Sequence, residues 1–193
     1  ADKEAAIEHY QRALQLATEA GDISSRTSVE CCLAVLVLDR GDYTAAEERA
    51  RTGLASNPAG ELYGNSKLLI VLAMALRARG AIEEAIEALR RSADSLGDSL
   101  RHRRYVELHL CAALADAGQI DEAAALLDGV RAFYQEVGDP VGQDLVTVGQ
   151  AHLDRARGGG GDLSALAGRA LDWEVRRAVG IFEATAGAVG SAR

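Results

Sequence analysis

The residues that could do chemistry in this sequence are Cys31-Cys32, the pair His109 and Cys111, His152, the tetraglycine run 158–161 and the cationic stretch Arg101-His102-Arg103-Arg104. A structural zinc site needs closely spaced pairs of sulfur or imidazole ligands, and no repeated Cys-x-x-Cys or His-x-x-x-His spacing supplies them. Adjacent cysteines are poorly placed to pair with each other, and a third at Cys111 completes no disulfide framework. The three read as reduced, buried thiols. The glycine run lacks the Lys-Ser/Thr that follows a phosphate-cradling loop, and a helix rather than a strand precedes it. It reads as a flexible insertion between two helices. No Gly-x-Ser-x-Gly elbow is present, and no Ser or Cys sits in a nucleophile context. Carboxylate pairs such as Glu47-Glu48 and Glu83-Glu84 fall on the outer faces of helices and read as solvated surface. The expectation is therefore no enzyme, no metal and no cofactor. Arg101, Arg103 and Arg104 remain as a candidate basic docking patch for an acidic or phosphate-bearing partner.

The elements that would position these residues are helices. The 193 residues are 48% hydrophobic and only 4% aromatic, with two prolines and abundant alanine and leucine, a bias that favours helices over sheets. A net charge of −8 argues against a general nucleic-acid or anionic-membrane binder. The apolar runs 31–38 and 68–76 are too short to span a bilayer. The opening Ala1-Asp2-Lys3-Glu4 is no targeting segment, so a cytoplasmic location is expected.

Three stretches repeat: Gly41-Asp42-Tyr43-Thr44-Ala45-Ala46, Gly80-Ala81-Ile82-Glu83-Glu84-Ala85 and Gly118-Gln119-Ile120-Asp121-Glu122-Ala123, with glycines 39 and 38 residues apart. Each glycine separates a helix that is apolar nearly all round from an amphipathic one, as the turn of a helical hairpin would. First helices are expected over about 24–39, 61–79, 99–117 and 141–156, and second helices over about 43–56, 82–96 and 120–137. An unpartnered helix occupies 3–20, and 163–187 reads as a last second helix. Gly21-Asp22, Asn57-Pro58, Gly97-Asp98 and Gly138-Asp139-Pro140 punctuate the ends of second helices. A helix apolar on every side must be covered on every side or present a strip to a partner.

The frame Gly-Asp-Tyr-x-x-Ala at 41–46, the small residues Ala34, Ala73 and Cys111, and Val148-Gly149-Gln150-Ala151-His152 together resemble the tetratricopeptide (TPR) repeat family. Ala6, Tyr10 and Ala13, then Ala46, Ala85 and Ala123, match its second-helix positions. The period of 38–40 resembles the longer variant found in bacterial multidomain signalling regulators, such as ATPase-type transducers and serine/threonine kinases. His152 stands at the family's tyrosine position and reads as a packing residue. The resemblance implies an all-α, right-handed α-solenoid of antiparallel hairpins over the whole chain. Its parts would be an orphan helix 1–22 and units at about 23–60, 61–98, 99–139 and 140–193, the last degenerate, as an excerpt of a larger protein.

Arrays of this family bind ligands on the concave surface lined by first helices. Carried across residue by residue, the groove comprises Cys31, Val35 and Leu38; Lys67, Ile70, Met74 and Arg77; Tyr105, Leu108, Ala112 and Asp116; and Val146, Gln150 and Asp154. The function expected is a protein-interaction or sensor module. Its groove would take a peptide or helix from a partner or from another domain of the parent chain, with no nucleic acid and no membrane. The alternatives are a self-association scaffold, which would make a homo-oligomer, and a small-molecule-sensing domain. For the latter no convergent polar pocket can be assembled from the sequence.

Overall fold

The computed structural model describes residues 3–57, 62–96 and 99–191. Among them the chain forms helices α1 (Lys3–Glu19), α2 (Ile23–Leu38), α3 (Tyr43–Ala55), α4 (Leu62–Ala78), α5 (Ile82–Ser95), α6 (Leu100–Asp116), α7 (Ile120–Glu136), α8 (Pro140–Ala156) and α9 (Trp173–Ser191), with a 3-10 turn at Ser164–Leu166. The expected stops at Pro58 and Gly97-Asp98 lie outside the described residues.

Gly41 and Gly80 show how the hairpins close. Their φ angles are 79° and 83°. The Gly41 N–H donates to Leu38 O at 2.9 Å and the Asp42 N–H to Val37 O; Gly80 and Ala81 repeat the pattern on Arg77 O and Leu76 O. This pairing satisfies the last carbonyls of a helix and requires a left-handed residue, which glycine supplies without strain. A following aspartate then starts the next helix. The Asp42 carboxylate accepts from Ala45 N at 3.1 Å, Asp22 accepts from Ser25 N at 3.0 Å, and Asp139 accepts from Val141 N and Gly142 N just after Pro140. Each Gly-Asp pair thus ends one helix and caps another.

Helices α2, α4, α6 and α8 form an inner row, with α2 against α4, α4 against α6 and α6 against α8; α3, α5 and α7 each wedge between successive inner helices from outside. Close approach depends on small side chains: Ala34, Ala73 and Cys111 have no exposed surface. A Cβ on Gly149 would lie 3.0 Å from Leu127 Cδ1. The seam is filled by Leu33, Leu68, Leu89, Leu114, Leu127, Leu145 and Leu153, all fully buried, each contributing about 1.5–3 kcal/mol of transfer free energy. In α4 every residue from Leu68 to Arg77 is buried, because α2, α3, α5, α6 and α9 surround it. Its all-round apolarity is met by covering and leaves no exposed strip. No helix of the described residues is long and apolar enough to cross a membrane.

The C-terminal part departs from the expectation. The helix starts at Trp173, not near residue 163. At the tetraglycine, Gly158 (φ 92°) and Gly159 close α8 by donating to Arg155 O and Asp154 O. Gly161 (φ 69°) packs so tightly that a Cβ there would stand 2.6 Å from Phe182 Cζ and 2.8 Å from Ala151 O. The chain therefore turns back, Leu166 is buried, and Asp172 caps α9 by accepting from Glu174 N at 2.9 Å. Helix α9 packs on α8 and also on α4. The outer helices α3, α5 and α7 each join consecutive inner helices, whereas α9 lies across the inner row.

Candidate functional site

The inner face divides into a part that α9 covers and a part that it leaves open. In the covered part Ala178 and Ile181 of α9 meet Met74, Arg77, Leu108 and Ala112 from α4 and α6, together with Val148 and His152 from α8. Met74, Arg77, Leu108 and Ala112 belong to the expected groove, and all four are buried.

Beneath α9 sits an ionic network. The Asp116 carboxylate accepts from Arg77 Nε at 3.1 Å and Nη2 at 2.7 Å, from Arg155 Nη2 at 3.0 Å, and pairs with His152 Nδ1 at 2.9 Å. Arg77 Nη2 stands 3.1 Å from His152 Nε2. A neutral imidazole with its proton on Nδ1 satisfies both neighbours: it donates to Asp116 and accepts from Arg77. Burial and the Arg77 charge push the His152 pKa down to about 4. Burial opposes ionisation of Asp116, but Arg77 and the His152 hydrogen bond outweigh it and hold the carboxyl well below its usual range. His109, beside Tyr105 in an edge-to-face contact, is lowered to about 3 by burial and the Arg77 charge. Arg155 carries the network into α9, donating to Phe182 O at 2.8 Å and Thr185 Oγ1 at 2.7 Å, with its guanidinium 4.2 Å from the Phe182 ring centre.

Near the start of α9, Arg177 donates to Asp39 through Nε at 2.5 Å and Nη2 at 3.0 Å, across 138 residues of sequence. Its guanidinium lies 4.5 Å from the Trp173 ring centre. An ion pair at Arg177 and charge-assisted hydrogen bonds from Arg155 therefore tie α9 to α8 and to the end of α2.

Beside this anchor opens a cavity of about 820 Å³. Cys31, Val35, Lys67, Ile70, Met74 and Tyr105 of the expected groove line it, joined by Arg101 from the basic cluster. Trp173, Glu174 and Arg177 of α9 and Tyr134 of α7 complete the wall. A Cβ on Gly142 would overlap the Tyr134 ring, so glycine there admits it. Burial raises the Cys31 thiol to about 11 and Cys111 to about 12, which leaves poor nucleophiles.

The remaining expected groove residues lie elsewhere. Leu38 and Val146 are buried. Gln150 accepts from Arg131 of α7 at 2.6 Å across the helix contact, and donates to Asp154 one turn along its own helix at 2.8 Å. The basic patch is largely neutralised from within: Arg101 pairs with Asp139, Arg104 with Glu107 at 2.6 Å, and Arg103 is engaged as well. Asp39, Tyr134, Trp173, Glu174 and Arg177 were missed from sequence, and a convergent polar pocket does exist.

No family model and no curated protein matches the chain. Among solved structures it is similar to a kinesin light chain-like protein of Podosopora anserina with nearly identical TPR-like repeats, at TM-score 0.63 and 19% identity over 97% of this chain and 88% of that one. A form of that protein carrying a point substitution gives 0.64 and 18%, over 98% and 89%. The architecture of the chain is that of a TPR-like, all-α repeat solenoid.

Proposed function

We propose that the chain is a protein-interaction module whose inner groove takes an amphipathic helix, and that α9 holds this groove as an intramolecular ligand. A TPR-like repeat fold is in general a non-enzymatic scaffold for protein partners. The observation that carries the finer reading is the seat of α9. Its apolar face, Val175, Ala178, Ile181 and Phe182, is buried, and it is held near its start by Arg177 on Asp39 and at its middle by Arg155 on Phe182 O and Thr185. That spacing defines what a competing helix must offer: apolar residues at one-turn intervals and a guanidinium near its start.

Tethering gives α9 an effective concentration in the millimolar range, so it suppresses an equal helix added from outside. The test is fluorescence anisotropy of a labelled peptide spanning 173–186. Ile181→Asp places a carboxylate in a site only 3% exposed and should release α9. The released chain is expected to bind the peptide at least roughly tenfold more tightly than wild type. Arg177→Ala provides a second route to release. Equal binding by wild type and both variants, or no binding by variants that stay folded, contradicts the reading.

A further inference from the structure

The open cavity carries polar groups that the fold leaves unused. Tyr134 is 4% exposed and lines the cavity with Tyr105, yet neither phenol has a hydrogen-bond partner among the described residues. The half-buried Glu174 carboxylate likewise accepts no hydrogen bond; only its backbone N–H is engaged, by Asp172. The arginines of the wall, by contrast, are matched, Arg177 by Asp39 and Arg101 by Asp139. Counting the wall, Asp39, Asp139, Asp172 and Glu174 face Lys67, Arg101 and Arg177, four carboxylates to three cations. Burial and the Asp172 charge raise the Glu174 pKa despite Arg177 and Lys67. Arg177 and Lys67 offset this rise only in part, and an added anion would increase it. Val35, Ile70 and Met74 supply an apolar wall beside these groups.

We propose that this cavity binds a primary ammonium or guanidinium group on an apolar stem, with Glu174 as its counter-ion and the Tyr105 and Tyr134 oxygens as acceptors. The cation takes the charge-assisted hydrogen bonds that Glu174 lacks, the phenols add lone pairs and ring faces, and the stem lies along Val35 and Ile70. Because Trp173 and Glu174 belong to α9, the site exists only while α9 is seated. It does not depend on a partner helix displacing α9.

Trp173, the only tryptophan of the chain, is half exposed on the cavity wall, so its fluorescence reports occupancy. The full chain is titrated with pentylamine, with pentanol as the neutral match, and with a short peptide bearing one lysine, with norleucine as its match. Saturable quenching or shift by either amine but not by its match is the expected result; whichever binds more tightly identifies a free amine or a side chain as the source. Glu174→Gln should weaken the amine roughly tenfold or more, as loss of a hydrogen bond to a charged group does, and Tyr134→Phe should weaken it less. Circular dichroism checks that each variant is folded. No response to either amine, equal responses to pentylamine and pentanol, or full affinity in folded Glu174→Gln overturns the assignment, whatever the outcome of the helix-competition test.

Discussion

Asp116→Ala tests the ionic network that underlies the covered groove. The wild-type carboxylate has a side chain 3% exposed and serves Arg77, also 3% exposed, together with His152 and Arg155. Removing it strands the Arg77 guanidinium in a water-poor site with only a neutral imidazole beside it. Breaking a buried pair by deleting one partner costs about 3–5 kcal/mol, a large share of the roughly 5–15 kcal/mol that holds a domain of this kind together. Arg77→Met with Asp116→Leu removes both charges and leaves apolar volume behind. The double variant should therefore recover most of the loss, to within about 2 kcal/mol of wild type. Arg155 remains 18% exposed and can still reach solvent. Urea unfolding followed by circular dichroism at pH 7 compares wild type, the single variant and the double variant. Asp116→Ala within about 1 kcal/mol of wild type, the value of an exposed pair, or a double variant as damaged as the single one, would refute the reasoning.

Acid should destabilise the fold through its buried histidines. His152 and His109 have folded pKa values of about 4 and about 3 against 6.5 unfolded, so between pH 6 and pH 4 the unfolded chain binds more protons. Stability then falls by roughly 1.4 kcal/mol per pH unit for each. Facing these groups are Arg77, Arg155, Arg177 and Asp116; the Asp116 contribution is present above its unfolded pKa and is lost only at lower pH. Denaturant midpoints across this range check the slope, and a flat profile contradicts it. Gly161→Ala, with its positive φ and the contact to Phe182 Cζ, should cost about 1–3 kcal/mol and loosen α9. Gly160→Ala, which meets nothing within 4 Å, is the matched control. Arg101→Ala removes a side chain 64% exposed and should change stability by less than about 1 kcal/mol; a larger loss would show that the Arg101–Asp139 pair is structural.

The helical array was legible because its signals are local. Glycine at Gly41, Gly80 and Gly118 ends a helix wherever a left-handed residue is needed, and the apolar periods on either side name the helix types. The path after Gly161 was not legible. Five glycines between residues 158 and 168 announce a break, but nothing local says that the chain then crosses the inner row. That choice rests on Arg177 reaching Asp39 and Phe182 reaching Gly161, contacts without a sequence period. The groove positions fared unevenly for the same reason. Cys31, Val35, Lys67, Ile70 and Tyr105 reach the open cavity because they share the inner face of α2, α4 and α6. Gln150 is drawn to Arg131 on the neighbouring helix, which no repeat register encodes. His152 reads as packing from sequence and is buried, and its partners Arg77 and Asp116 become visible only once three inner helices align.

Hydrogen–deuterium exchange of the full chain, resolved over residues 173–186, measures most directly whether α9 rests in the groove. A seated α9 exchanges as slowly as α8, which it packs against, and loses that protection in Ile181→Asp while α4 and α6 keep theirs. Exchange of wild-type α9 within seconds, as for an isolated helix of this length, would contradict the intramolecular seat.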